Sequence, residues 1–266
     1  MSRTALVTGA SSGIGHAVAS ALVARGYRVI GTSRKPESIA DSMRIPEVRY
    51  EELDLADNAS IDALVDRVGA VDVVVNNAGE SQSGPLEDLP TEVLERLFRL
   101  NVFGAVRLTQ SLLPGMRARG HGRVVMIGSM LASFPLAYRS SYVASKAAIK
   151  GFATAARREL APFGVWVTTV EPGSINTGIS ERRTKYLADG SVHAGRFRTM
   201  LAHLDRNERR GISADTVAGT VVKAIDAGKP RSLYAVGSNA PFVFALRRLV
   251  PRSVVERIVA RKHGLS

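Results

Sequence analysis

Thr4-Ala-Leu-Val-Thr8-Gly9-Ala-Ser-Ser-Gly13-Ile14-Gly15 decides how this chain is read. Residues 4–8 form a short strand-like run, the glycines a turn, and the stretch from His16 to Arg25 a helix closed by Gly26. A second strand-like run follows at 27–32. In a strand–turn–helix–strand unit, glycines allow a tight turn and close backbone approach to a ligand, while the helix N-terminus faces an anionic group. That context turns a glycine-rich loop from an ordinary βα connection into a dinucleotide fingerprint. The spacing is Gly-x-x-x-Gly-x-Gly rather than the more usual Gly-x-Gly-x-x-Gly.

Outward from this unit, strand-like runs recur at 48–53, 71–75, 123–127, 165–170 and 232–236, with helix-like stretches between them. The alternation specifies an α/β protein of Rossmann type, a doubly wound seven-stranded parallel sheet with helices on both faces. Runs such as Val124 to Ile127 suit strands buried on both sides. At 266 residues and 45% hydrophobic content the chain can bury one large core, and no linker, repeat or low-complexity tract divides it. We assign a single domain over 1–237, with a substrate lid at about 178–212, and a basic amphipathic extension over 238–266.

There are no cysteines, which excludes disulfides and thiol chemistry, and no residue pattern suggests a metal site. The N-terminal residues enter a strand at once and no apolar stretch is long enough to span a bilayer. A cytoplasmic location is the expectation. The net charge of +12 is unevenly spread: residues 1–177 carry nineteen basic and seventeen acidic side chains, 178–212 eight and four, 238–266 six and one. No zinc finger, basic zipper or RNA-reading aromatic motif accompanies it, so nucleic acid is not an expected partner.

Tyr142-Val-Ala-Ser-Lys146 places a phenol and an ammonium four residues apart on one helix face. A free phenol is a poor proton donor or acceptor at neutral pH, and a neighbouring cation favours its ionised form. The pair suits moving a proton on or off an oxygen, with Ser129, thirteen residues upstream, as a hydroxyl to hold that oxygen. Tyr138 is a decoy, since no lysine stands four residues after it.

Thr8-Gly9-x-x-x-Gly13-Ile14-Gly15, Asn76-Asn77-Ala78-Gly79, Asn101, Ser129, Tyr142-x-x-x-Lys146 and Pro172-Gly173 occur in a fixed order. From residue 4 to about 177 the chain resembles the short-chain dehydrogenase/reductase family. The resemblance implies three helices on each side of the sheet and a nicotinamide dinucleotide bound along the turn of Gly9, Ser11, Ser12, Gly13, Ile14 and Gly15. It implies that Asn77, Ala78 and Gly79 lie along the adenine ribose and that Asp54 and Leu55 meet the adenine, although Asp54 also reads as a helix N-cap. It further implies that Pro172, Gly173, Ile175 and Thr177 hold the nicotinamide, that Tyr142 is the acid/base and that Ser129 orients the substrate oxygen. Lys146 would tune the tyrosine and bind the ribose, and Asn101 would mark a helix break whose freed carbonyl holds a water. Glu171 departs from the family pattern and has no role there beyond pairing with a nearby cation.

Gly31-Thr-Ser33-Arg34-Lys35 carries two cations and no acid at the end of the second strand. An acid there would hold a ribose 2′-hydroxyl, whereas an arginine fork beside a serine suits a 2′-phosphate. NADP(H) is therefore expected over NAD(H), with Ser33 and Arg34 on the phosphate. The substrate is expected to be a small carbonyl or alcohol. The basic lid suits either an acidic or carrier-bound 3-oxoacyl substrate or simple solvation. The extension, with Phe242, Phe244, Leu246, Leu249, Val254, Val255, Ile258 and Val259 among arginines, looks more like the hydroxysteroid and retinol dehydrogenase branch, whose substrates are apolar. Docking over the parent domain is favoured for it above contact with an anionic membrane. A homodimer through helices at Thr91–Met116 and Tyr142–Ala161 completes the expectation. The other readings are a non-catalytic dinucleotide-binding regulator, and a dehydratase or epimerase, whose relatives are usually longer.

Overall fold

The computed structural model describes residues 2–265. In chain order the elements are β1 (Thr4–Val7), α1 (Gly13–Val23), β2 (Arg28–Ser33), β3 (Val48–Glu52), α2 (Asn58–Val68), β4 (Val73–Asn76) and a short β5 (Gln82–Ser83). There follow α3 (Thr91–Phe98), α4 (Ala105–Ala118), β6 (Gly122–Ile127), α5 (Ser140–Leu160) and β7 (Val165–Pro172). The chain continues through α6 (Ile179–Arg182), a short β8 (Thr184–Lys185), α7 (Ala194–Arg209), α8 (Ala214–Asp226), β9 (Leu233–Val236), α9 (Ala240–Leu246) and α10 (Arg252–Lys262).

Seven strands pair in parallel in the order β3-β2-β1-β4-β6-β7-β9. The chain winds outward from β1 in one direction, then returns to β4 and winds in the other. The reversal between β1 and β4 opens a crevice at their carboxyl ends, where sheets of this kind bind ligands. Side chains alternate across the sheet as the strand period requires. Leu6, Val124 and Met126 face a layer containing Leu64 of α2, Leu108 and Met116 of α4, and Ile149 of α5. Val7, Val125 and Ile127 face the opposite layer, with Val18 and Leu22 of α1 and Val221 and Ile225 of α8. On that second face, among the described residues, α1 and α8 are the full helices, fewer than the three implied, and β2 and β3 are joined by two single-turn 3₁₀ helices, Pro36–Ser38 and Asp41–Met43. The run between Pro36 and Pro46 is of a length at which a helix without a packed apolar face is marginal.

The helical stretch over Thr91–Met116, with its expected break at Asn101, is α3 and α4 joined by a π-helical turn, Arg99–Gly104. A third apolar cluster holds Leu136, Phe197, Met200, Leu204 and Leu265, so α7 and the end of the C-terminal extension share one small core.

Candidate active site

One cavity of about 970 Å³ runs along the carboxyl edge of the sheet. Every residue expected at a cofactor or catalytic position lines it, except Gly15 and Asn101, which stand behind its wall. Gly9 and Gly13 take φ of +67° and +56°, backbone that a β-carbon would strain. At Gly15 the reason is space, since a β-carbon would lie 2.2 Å from the Gly9 carbonyl oxygen. Helix α1 starts with no side-chain cap at Ser12 and no acid in its first turn, which leaves its leading N–H groups available to an anion.

Thr8 ties this turn to the next strand. Its Oγ1 accepts from the backbone N–H groups of Asn77 (2.9 Å) and Ala78 (3.0 Å), while Asn77 Nδ2 donates to the Thr8 carbonyl at 2.9 Å. Asp54 is not the N-cap of α2: that role belongs to Asp57, whose Oδ1 accepts from Ala59 N–H at 2.9 Å. Asp54 Oδ1 instead accepts from Ala56 N–H at 2.8 Å in a local turn on the cavity wall.

Tyr142 and Lys146 are both buried on α5, and Lys146 Nζ donates to the Ile127 carbonyl at 2.9 Å. Ser129 Oγ accepts from Leu131 N–H at 3.2 Å, which fixes the hydroxyl at the end of β6. Asn101 lies in the π-helical turn and clasps Glu80: its Oδ1 accepts from Glu80 N–H at 2.8 Å and its Nδ2 donates to the Glu80 carbonyl at 3.0 Å and to Ser145 Oγ at 3.3 Å. A β-carbon at Gly79 would meet Asn101 Oδ1 at 3.1 Å and Lys146 Nζ at 3.6 Å, so these three residues meet closely. Tyr138 stands apart with φ +64°, its ring packed edge-on against Phe197 and His193.

Arg34 is 66% exposed at the cavity mouth, with its Nη1 3.8 Å from Glu80 Oε1. Arg96 reaches the same carboxylate from α3, giving the mouth a second cation that spacing alone does not single out. Glu171 is fully buried and paired: Lys150 Nζ lies 3.0 Å from its Oε1, and Ser133 Oγ donates to its Oε2 at 2.8 Å.

The residue most clearly missed by sequence reasoning is Arg139. Its guanidinium carbon sits 4.3 Å from the centre of the Tyr142 ring, and its Nη1 donates to Ser81 Oγ, the Gln82 carbonyl and Ser83 Oγ, each at 3.0 Å. Burial pushes this group down to about 10, partly opposed by Tyr142. Its position three residues before Tyr142 puts it on the same side of the helix start, the one faint signal available. Within residues 178–212, Arg183 is fully buried between Asp205 and Glu208, so part of that segment's positive charge is neutralised internally. Desolvation raises the Glu208 carboxyl above its usual range despite Arg183.

The extension forms the apolar wall of the cavity. Val243 and Leu246 of α9, Val250 of the turn, and Val255, Ile258 and Val259 of α10 line it. Phe244 anchors α9 by an edge-on contact with Phe134 at 5.1 Å between ring centres.

A family profile described as short chain dehydrogenase matches residues 3–187. The chain is 33% identical to the oxidoreductase YusZ of Bacillus subtilis, over 98% of both proteins. It is 32% identical to the 3-ketodihydrosphingosine reductase of Bacteroides thetaiotaomicron, over 90% of each. It is also 32% identical to the NADPH-dependent 3-dehydrocapnine reductase of Ornithobacterium rhinotracheale, over 96% of this chain and 95% of that protein. Among solved structures, a short-chain dehydrogenase from Streptomyces avermitilis superposes with a TM-score of 0.81 at 33% identity, covering 93% of this chain and 94% of that one. One from Burkholderia cenocepacia in complex with NADP gives 0.76 at 25% identity, over 97% of both.

Proposed function

Because the chain belongs to the short-chain dehydrogenase/reductase family of NAD(P)-dependent oxidoreductases, we propose that it is an NADP(H)-dependent reductase of an apolar ketone or aldehyde. The observation that carries this reading is one cavity joining Ser129, Tyr142 and Lys146 to a glycine-rich cradle at one end and an apolar wall from α9 and α10 at the other. The cradle fits a dinucleotide: Gly9, Gly13 and Gly15 leave room that side chains would fill, beside an uncapped helix start. Ser33 and Arg34, with Arg96 nearby, suit a 2′-phosphate, and the NADPH-dependent and NADP-bound relatives support that choice. When bound, the nicotinamide supplies the hydride.

The chain's own residues do the rest. Tyr142 gives its proton to the carbonyl oxygen, and Ser129 donates a hydrogen bond to the same oxygen as negative charge develops on it. Arg139 lies against the face of the Tyr142 ring with Lys146 near it, two cations beside the negative charge that develops as the proton leaves. Ile175 and Thr177, with Pro172 and Gly173, would hold the nicotinamide, and the clasp of Asn101 on Glu80 holds Gly79 against Lys146. The relatives named for reducing 3-ketodihydrosphingosine and 3-dehydrocapnine support a ketone substrate. Arg183 is committed to Asp205 and Glu208 and so is withdrawn from an acidic substrate, while the wall from α9 and α10 favours an apolar one. The reading includes a cytoplasmic enzyme and a homodimer through α4 and α5, beside which Phe103 and Phe152 stand exposed. Among the described residues no helix is long and apolar enough to cross a membrane.

The test is oxidation of NADPH, with NADH in parallel, against long-chain ketones and aldehydes. Turnover with NADPH that falls about 10²–10⁴-fold in Tyr142→Phe is expected. Cofactor binding without turnover of any carbonyl would favour a dinucleotide-binding regulator instead.

A further inference from the structure

The extension covers the cavity with one face and leaves a second apolar face to solvent. Along α10, Val255, Val259 and Lys262 follow the i, i+4, i+7 spacing of one side and line the cavity. Val254 and Ile258 form the adjacent stripe, four residues apart, and Arg257 and Arg261 the stripe beyond it. Ile258 belongs to both worlds, lining the cavity while 51% exposed, so it stands on the rim. The turn between the helices presents Leu249 at 82% exposure beside Arg247 and Arg248, and α9 presents Phe242 at 69%. Six basic residues and one acid occur in 238–266.

We propose that the outer faces of α9, α10 and their connecting turn dock on an anionic lipid bilayer, from which the apolar substrate passes over the Ile258 rim into the cavity. The substrate passage rests on the reductase reading; the docking does not. Large exposed apolar side chains interleaved with arginines match the interface of a bilayer, where the former enter the acyl boundary and the latter meet anionic headgroups. A second copy of the chain is the poorer occupant. A two-fold contact sets the same patch against itself, and here that would bring Arg248, Arg257 and Arg261 of one copy against those of the other.

Sedimentation of the full chain with phosphatidylglycerol-containing vesicles, against pure phosphatidylcholine, tests the docking. Binding is expected on the anionic vesicles and weakens with added salt. The Arg248→Gln/Arg257→Gln variant should lower the partition coefficient about thirty-fold, roughly fivefold for each charge removed. Phe242→Ser/Leu249→Ser should also lower it. None of these four residues lines the cavity, so turnover of a short water-soluble ketone should be unchanged. Equal binding to both vesicle types, no binding, or binding unaffected by either variant overturns the proposal. So does a change from dimer to monomer by light scattering without a change in vesicle binding, which would assign the face to a second copy. Failure of the wild type to turn over any ketone in solution would remove the reductase reading, and vesicle binding would still decide the docking.

Discussion

Replacing Arg139 with methionine should weaken both catalysis and stability. The guanidinium lies 4.3 Å from the Tyr142 ring centre. A full negative charge on the ring at that distance would gain ~4 kcal/mol at an effective dielectric of ~20. With roughly half a charge developed as the phenol gives up its proton, the loss is ~2 kcal/mol, or ~30-fold in kcat. Stability should move by a comparable amount. Keeping this cation buried, with its pKa pushed down to about 10, costs ~3 kcal/mol at neutral pH, which methionine recovers. The hydrogen bonds from Nη1 to Ser81, Gln82 and Ser83 are lost in exchange, so the two effects largely offset and leave a destabilisation of ~1–3 kcal/mol. Steady-state NADPH oxidation, with urea denaturation in parallel, measures both. Arg139→Lys, which retains the charge, should restore much of the lost kcat. A kcat loss in Arg139→Met no larger than the unfolded fraction explains, or one that Arg139→Lys does not restore, would refute the electrostatic role.

Other expectations follow from geometry and charge. Gly15→Ala should abolish cofactor binding measured by NADPH fluorescence, because the new β-carbon would sit 2.2 Å from the Gly9 carbonyl oxygen, and backbone cannot yield as a side chain can. Arg34→Leu should raise KM for NADPH by about tenfold to a hundredfold, the worth of a charge-assisted hydrogen bond, and leave KM for NADH nearly unchanged. Equal effects on both cofactors would remove Arg34 from the 2′-phosphate. Burial holds the His263 imidazole below its usual 6.5, aided by the cations Arg139 and Lys262 and by His203. The unfolded chain therefore binds a proton more readily than the folded one just below 6.5, and stability present above that value is lost as pH falls through the lowered one. The thermal midpoint should drop on acidification, and less steeply in His263→Gln.

The parts of the fold and site that local chemistry dictates were readable in the chain. The turn at Gly9, Gly13 and Gly15 announces itself because only glycine fits its backbone angles and its space. Asn101 is readable as a break because asparagine is a poor helix former in mid-helix, and the π turn lies there. Arg139 was hidden because nothing local buries it: the Ser81–Ser83 segment, distant in sequence, closes over it. The pairing of Glu171 with Lys150 and Ser133 likewise joins three elements whose meeting no spacing rule reports. The internal pairing of Arg183 was hidden for the same reason, since it finds Asp205 and Glu208 of α7 only after folding. For the extension, covering the domain and contacting a membrane read as alternatives in the sequence. Two helices with a turn between them have faces enough for both.

The π turn at Arg99–Gly104 also keeps the angular phase between two halves of one long helix. An unbroken α-helix advances about 100° per residue, so whatever points Leu108 and Met116 into the core would dictate where Leu97 and Asn101 point. The wider turn takes up extra chain and keeps that phase. Removing a single residue from it would rejoin the halves as one α-helix with α3 and α4 close to their present phase, and would cost the wide turn from which Asn101 grips Glu80. The width of that one turn is thus what lets a single rod serve the core along one end and the cleft along the other.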